Sequence, residues 1–420
     1  MNGIGKSFEH VQLLRRKFEG LIAEGRGTAT WAPQADALTT QLQSMRSFGS
    51  NPGDLKMLVH VPDRLPPNPA LVVALHGCGQ SAAEYERGTG WSELADRLGF
   101  VVVYPEQQSG NNPNSCFSWF LKSDHSRDGG EALSIRQMVE HAAGVFHTDR
   151  RRVYVTGLSA GGAMTSVMLA TYPETFAAGA IIAGLPYGCA GNVQEALSAM
   201  FSEQAIPAGA LGDRVRAAST HSGPWPRVSV WHGTADAVVK HSNAHNIARQ
   251  WADVHGIEPV ETHSATIGGH RRRLWTGAGR VPLIETVSID NMAHGVPIAA
   301  AAGTAGCGAS GPFFLDVGIS STQHIARFWG LEGAQEVEAL EPATAFGPQS
   351  KAQSKAEPEP AFARERAERI EPAPSMNDPA GIIEAAMKAA GLSPGGSRKG
   401  LGIDPAAVIA AALKAAGLKR

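Results

Sequence analysis

Gly157-Leu158-Ser159-Ala160-Gly161 sets one serine between two glycines. It directly follows a β-branched apolar run at 152–156 and opens a stretch of small residues, Gly162, Ala163, Met164 and Thr165. A strand, a sharp turn and a helix around G-x-S-x-G is the setting of a nucleophile elbow, in which flanking glycines let the backbone pass close to a sheet. A serine hydroxyl is a weak nucleophile until a base takes its proton and a carboxylate orients that base. In hydrolases built on this elbow the chain order is serine, acid, histidine. The acid is expected just past a later strand. Residues 228–231 form such a strand, and His232-Gly233-Thr234-Ala235-Asp236 follows, which makes Asp236 the leading acid. Asp213 and Asp253 have no strand before them and rank lower.

Fifteen histidines make the base harder to choose. His294 lies just after the last strand candidate, where a loop can return to the serine; His263 and His270 precede that strand. His241 and His245 stand at i, i+4, a metal-compatible spacing, but without the glutamate of H-E-x-x-H, and they read as a solvated helix face. The chain also lacks a C-x-x-C pair, so neither spacing points to a metal. An oxyanion formed in acyl transfer needs two backbone donors. The Ala160 amide, next to the serine, is one candidate. The Cys78 amide is the other, in the glycine-rich loop His76-Gly77-Cys78-Gly79-Gln80 that follows a strand at 71–75, with Gln80 helping to shape the loop.

Three segments in order, His76 to Gln80, Cys116-Phe117-Ser118-Trp119-Phe120 and Gly157 to Met164, resemble the esterase family named for polyhydroxybutyrate depolymerases. Feruloyl and acetylxylan esterases also belong to that family. The resemblance covers about 48–331 and implies an α/β-hydrolase fold, serine esterase activity, no cofactor, and a substrate-contacting tryptophan, here Trp119. Many relatives are secreted, and some carry a β-rich polymer-binding module that this sequence does not show. Relatives commonly have an aromatic residue after the histidine; here Gly295 stands there. The expected activity is hydrolysis of short 3-hydroxyacyl esters or poly(3-hydroxybutyrate), with a feruloyl- or acetylxylan-type esterase as the alternative. A granule- or partner-binding protein acting through the C-terminus is the alternative of another class.

These residues need a scaffold, and the pattern supplies one. Apolar runs at 57–61, 71–75, 100–104, 153–156, 178–183, 228–231 and 283–289 alternate with helix candidates at 82–98, 131–146, 161–171, 241–254 and 322–329. Continuous apolar strands separated by helices predict a mostly parallel sheet covered on both faces. Residues 1–47 read as a helix (7–23) and connector, 48–331 as the catalytic domain, and 332–377 as a disordered linker rich in Pro, Glu and Ala. At the end, Asp378 to Leu392 recurs as Asp404 to Leu418. Each copy carries Asp, Pro and Gly at helix start and stop positions and one apolar face, so 378–420 reads as two short amphipathic repeats able to dock on a granule or a protein partner.

Composition narrows the classes further. The 420 residues hold 37 Lys plus Arg against 39 Asp plus Glu, a net charge of −2, which offers no basic excess for nucleic acid. Hydrophobic residues make up 43%, enough for a large core. No segment has the apolar length of a membrane span, and the N-terminus has no signal-peptide h-region, so a cytoplasmic protein is expected, with an extracellular location, as in many relatives, as the alternative. In the cytoplasm all four cysteines would be reduced. Cys78 and Cys116 nevertheless both follow strands at the end of the sheet where the site forms, and are expected to be neighbours.

Overall fold

The computed structural model describes residues 41–203, 206–258, 260–300 and 307–332. Ten strands form one sheet: β1 (Gln43–Met45), β2 (Lys56–His60), β3 (Ala70–Leu75), β4 (Phe100–Glu106), β5 (Val153–Leu158), β6 (Ala178–Ile182), β7 (Arg227–Gly233), β8 (His263–Ile267), β9 (His270–Thr276) and β10 (Pro282–Ile289). Their spatial order is β1-β2-β4-β3-β5-β6-β7-β10-β9-β8. The six strands from β4 to β10 are parallel, and an antiparallel pair closes each end. With helices on both faces, this is the mostly parallel, doubly covered sheet expected from the alternating pattern, and the α/β-hydrolase fold that the resemblance implies.

The central strands are apolar throughout because both of their faces are covered. In β3, Leu71, Val73 and Leu75 enter one core, while Ala70, Val72 and Ala74 enter the other. The first core is filled from helices Gly130–Phe146, Ala160–Thr171 and Ser242–His255. The second is filled from Ala82–Thr89, Trp91–Leu98 and Ser321–Trp329. Period-2 alternation within an all-apolar run feeds two cores at once, and it fixes register, since a one-residue slip would exchange the two sets.

Three features differ from expectation. The helix expected over 82–98 is two helices broken at Gly90, whose φ of 68° ends the first with its N–H on the Glu86 carbonyl. A Cβ there would meet the Gly308 nitrogen at 2.2 Å, so only glycine fits. Strands β8 and β9, not expected, form a hairpin around Gly268-Gly269, both at positive φ (53° and 84°). Helices Val193–Phe201 and Ala208–Arg216 lie where no helix was expected. A small second sheet pairs β11 (Val296–Ile298) with β12 (Phe314–Asp316) in parallel. The expected N-terminal helix at 7–23, the linker beyond Glu332 and the repeats in 378–420 lie outside the described residues. Among the described residues no helix is long and apolar enough to cross a membrane.

Candidate active site

Every residue singled out for chemistry, except Trp119, comes from the turn at the C-terminal end of a parallel strand, where open α/β sheets hold their ligands. Ser159 caps helix Ala160–Thr171 directly after β5 with φ 57° and ψ −115°. This is a strained conformation for a residue with a side chain, costing on the order of 1–3 kcal/mol, and it persists only where the surroundings enforce it. Here they do. The Ser159 amide donates to the Ile182 carbonyl at 2.9 Å, and the Ser159 carbonyl accepts from Ala163 at 2.8 Å. A Cβ on Gly157 would lie 2.4 Å from the Gly161 backbone, and one on Gly161 would lie 2.3 Å from the Leu75 carbonyl oxygen and 2.5 Å from that of His76. The two glycines thus let the turn fold on itself and seat the helix start against the end of β3.

Asp236 follows β7 and His294 follows β10. Two hydrogen bonds stitch their loops together, Ala235 N–H to the Met292 carbonyl (3.1 Å) and Thr234 N–H to that of Ile289 (2.9 Å). Gly233 lets them meet, since a Cβ there would sit 2.2 Å from the Met292 oxygen. His294 Nδ1 donates to Asp236 Oδ2 at 2.7 Å, which makes Nε2 the ring nitrogen able to accept a proton. The other carboxylate oxygen accepts from the amides of Val238 and Val239, both at 2.8 Å. Burial alone would raise the Asp236 carboxyl, but the adjacent His294 and hydrogen bonds from His232 and His294 outweigh it and hold the group well below its ordinary range. Ser159 and His294 line one pocket without a hydrogen bond between them, a contact that commonly tightens only with substrate bound.

The rival residues are used elsewhere. Asp213 and Asp253 both pair with Arg216. His263 and His270 sit on the edge hairpin. His245 is exposed, and the half-buried His241 bonds Ser288 Oγ at 3.0 Å. Among the described residues no group of three or more His, Cys, Asp or Glu is arranged to hold a metal ion.

The loop after β3 is pinned from several sides. Gln80 Oε1 accepts from the Gly77 amide (2.8 Å), the Gln80 amide donates to the Gly77 carbonyl (3.3 Å), and the Gly79 amide donates to the Asn114 carbonyl (2.7 Å). These bonds use the amides of Gly77, Gly79 and Gln80, on both sides of Cys78. His76 holds the loop from beneath. Its Nδ1 must donate, because its partner is the Gly77 carbonyl (2.8 Å), and its Nε2 must accept, because its partner is the Gln107 amide (3.0 Å). The ring is therefore neutral, in keeping with the lowering of its pKa by burial. Gln107 Nε2 in turn donates to the buried Glu131 at 2.5 Å and to the Cys116 carbonyl at 3.2 Å, and Glu131 also accepts from the Ser118 amide at 2.8 Å. Burial pushes the Glu131 carboxyl up to about 8 despite these bonds.

Cys78 and Cys116 are joined by a disulfide, with Cα atoms 4.3 Å apart; Cys189 and Cys307 are free. The neighbour relation expected for this pair holds, and the expectation of four reduced thiols does not, because the loops after β3 and β4 converge at the site. Gly77, Cys78, Gln80, Leu158, Ser159, Val238, His294 and Phe313 line the pocket. Trp119 is not among them. It is 7% exposed, packed in the first core and edge-on to Phe120 at 5.4 Å. Sequence reading missed four contributors. His232 Nε2, bonded to the Val239 carbonyl at 2.8 Å, lies 3.3 Å from Asp236 Oδ2; its place directly after an apolar run was the one signal available. Glu131 was visible only as a helix-start acid, and nothing in the sequence marks Val238 or Phe313 as pocket walls.

A protein-family model described as "Esterase PHB depolymerase" matches residues 61–273. Poly(3-hydroxyalkanoate) depolymerase C of Paucimonas lemoignei is 45% identical over 70% of this chain and 70% of its own length. An acetylxylan esterase of Coprinopsis cinerea is 36% identical over 64% of this chain and 73% of its own. Feruloyl esterase B of Talaromyces stipitatus is 33% identical over 61% and 72%. Among solved structures, an acetyl xylan esterase from Aspergillus awamori superposes with a TM-score of 0.59 at 24% identity, covering 70% of this chain and all of that one.

Proposed function

The chain belongs to the Esterase PHB depolymerase family and is a carboxylic ester hydrolase, and from this premise we propose that it cleaves 3-hydroxyacyl esters, poly(3-hydroxybutyrate) among them, through an acyl-Ser159 intermediate. Ser159 Oγ attacks the ester carbonyl while His294 Nε2 takes its proton. Asp236 fixes the imidazole by the Nδ1 bond at 2.7 Å and stabilises the imidazolium that forms. The negative charge on the former carbonyl oxygen is taken by the amides of Ala160 and Cys78. The intermediate collapses, the alcohol leaves with the proton from His294, and water, activated by the same imidazole, repeats the sequence to release the acid. Neither half-reaction requires a cofactor or a metal.

The observation that carries the substrate class is the 45% identity to a poly(3-hydroxyalkanoate) depolymerase across 70% of both chains. The matches to acetylxylan and feruloyl esterases support a second reading, in which the acyl group is acetyl or feruloyl and the alcohol a sugar. One experiment separates the two: purified enzyme on a poly(3-hydroxybutyrate) suspension, on acetylated xylan and on methyl ferulate, with soluble products identified. Release of 3-hydroxybutyrate and its oligomers is expected. Release of acetate or ferulate with no 3-hydroxybutyrate would establish the second reading instead.

The repeats in 378–420 are proposed to bring the catalytic domain to a polymer granule surface through their apolar faces. Truncation after Leu331 should then leave turnover of a soluble ester within a few-fold and weaken sedimentation with polymer granules. The Cys78–Cys116 disulfide supports the extracellular alternative over a reducing cytoplasm. Thiol titration of the denatured, unreduced protein should count two free cysteines; four would support the cytoplasmic one.

A further inference from the structure

Two consecutive phenylalanines precede and open β12, and they point to different places. Phe314 enters the core, its ring 6.0 Å from that of Tyr85 and so close to Gly88 that a Cβ on that glycine would meet it at 2.4 Å. Phe313 packs at the border of the same core and also lines the pocket beside Ser159, with its ring edge-on to His294 (6.1 Å, 81°). What sends them apart is the Phe313 backbone, whose φ of 65° is a left-handed conformation that bulky side chains rarely adopt.

The surroundings hold Phe313 in that conformation. Its carbonyl accepts from the Val296 amide at 2.7 Å, and a Cβ on Gly295 would lie 2.7 Å from the same oxygen. Upstream, Ala309 N–H bonds the Arg87 carbonyl at 3.1 Å, and Gly308 packs on the backbone of Gly88 and Thr89. A strained residue fixed from both sides, with its side chain delivered to a catalytic pocket, points to a role at that pocket. Phe313, Val238, Leu158 and the loop after β3 wall a narrow pocket that opens to solvent beside Ser159. An acyl chain on Ser159 that extends along this side of the pocket runs against the ring. Gly295, directly after His294, offers no side chain of its own, so the aromatic wall comes from a distant part of the chain.

We propose that Phe313 is the specificity-determining wall of the acyl pocket, admitting short acyl groups such as acetyl and 3-hydroxybutyryl and turning away long-chain ones. The proposal rests on the acyl-Ser159 reading and adds the substrate class of its pocket. The test is kcat/KM on p-nitrophenyl acetate, butyrate and octanoate for wild type, Phe313→Ala and Phe313→Gly, each checked for a folded state by its melting transition. Glycine accepts the left-handed backbone without strain, so Phe313→Gly keeps the loop even where alanine disturbs it. The octanoate-to-acetate ratio should rise about tenfold or more in the folded variants, the scale on which an apolar pocket discriminates chain length. An unchanged ratio in folded Phe313→Gly overturns the assignment. Ser159→Ala, assayed on the same esters, separates the two claims: lost turnover with an unchanged Phe313→Gly ratio removes only the wall, whereas retained turnover removes the acyl-serine reading on which it rests.

Discussion

Gly161→Ala is a one-carbon change whose consequence can be worked from the structure. The added Cβ would sit 2.3 Å from the Leu75 carbonyl oxygen and 2.5 Å from that of His76, both backbone atoms at the end of β3. Ordinary contact begins near 3.4 Å, so about 1 Å must be found by moving either the elbow or the strand end. Neither yields easily. The elbow is tied to β6 through the Ser159 amide, and the strand end continues into the loop held by His76 and Gln80. Overpacking of this kind costs typically ~1–3 kcal/mol. The functional cost is of similar size, because the shift separates Ser159 from the proposed oxyanion donors, and a 1 Å misplacement can lower turnover ~100-fold. The assay is kcat on p-nitrophenyl acetate beside a thermal melt. The expected result is a kcat lower by about two orders of magnitude in a protein that still melts cooperatively. Wild-type kcat and melting temperature together would refute the claim that contact between elbow and β3 positions the nucleophile.

Other consequences can be measured independently. Replacing Cys78 and Cys116 together by serine opens a bridge across 38 positions, which chain entropy values at about 4 kcal/mol, so the melting temperature should fall by on the order of 10 °C and kcat should fall with it; unchanged values would mean that the loop is held without the bond. Trp119→Ala should destabilise by about 3–5 kcal/mol while leaving KM close to wild type, because the ring packs in the core; a raised KM at unchanged stability would return Trp119 to the substrate cleft. With the Glu131 carboxyl pushed up to about 8, the native state keeps a proton that the unfolded chain releases near pH 4.5. Stability should therefore decline as pH rises from about 5 to 8, and Glu131→Gln should flatten that slope in melts across the range; an equal slope in the variant would refute the assignment.

The parts of this molecule that sequence revealed are those where local pattern and tertiary role coincide. An all-apolar run such as 71–75 can be little other than a doubly covered strand, and G-x-S-x-G after a strand and before a helix carries its own geometry. The acid and histidine could be chosen because chain order limits them to the turns after two late strands. What stayed hidden depends on distant partners. The β8–β9 hairpin exposes one edge and carries Arg271, Arg272 and Arg273, so its apolar alternation is weak, and only Gly268-Gly269 marked it. A substrate role for Trp119 is implied by the family resemblance alone, and nothing in the sequence shows that helices far off in the chain pack around it. Glu131 looks like any acid at a helix start until its burial against Gln107 and Ser118 is seen. Phe313 acquires its place from a backbone conformation for which a phenylalanine gives no sign.

The proposed ester cleavage passes through a covalent bond at Ser159. Rapid acid quench of the enzyme during turnover of a slowly deacylating p-nitrophenyl ester, followed by mass spectrometry of the intact protein and its peptides, observes that bond directly. A mass increase of one acyl group is expected, located on the peptide carrying Ser159 and absent in Ser159→Ala, which should also lose about six orders of magnitude in kcat. An acyl group on another residue, or near wild-type turnover by Ser159→Ala, would contradict it.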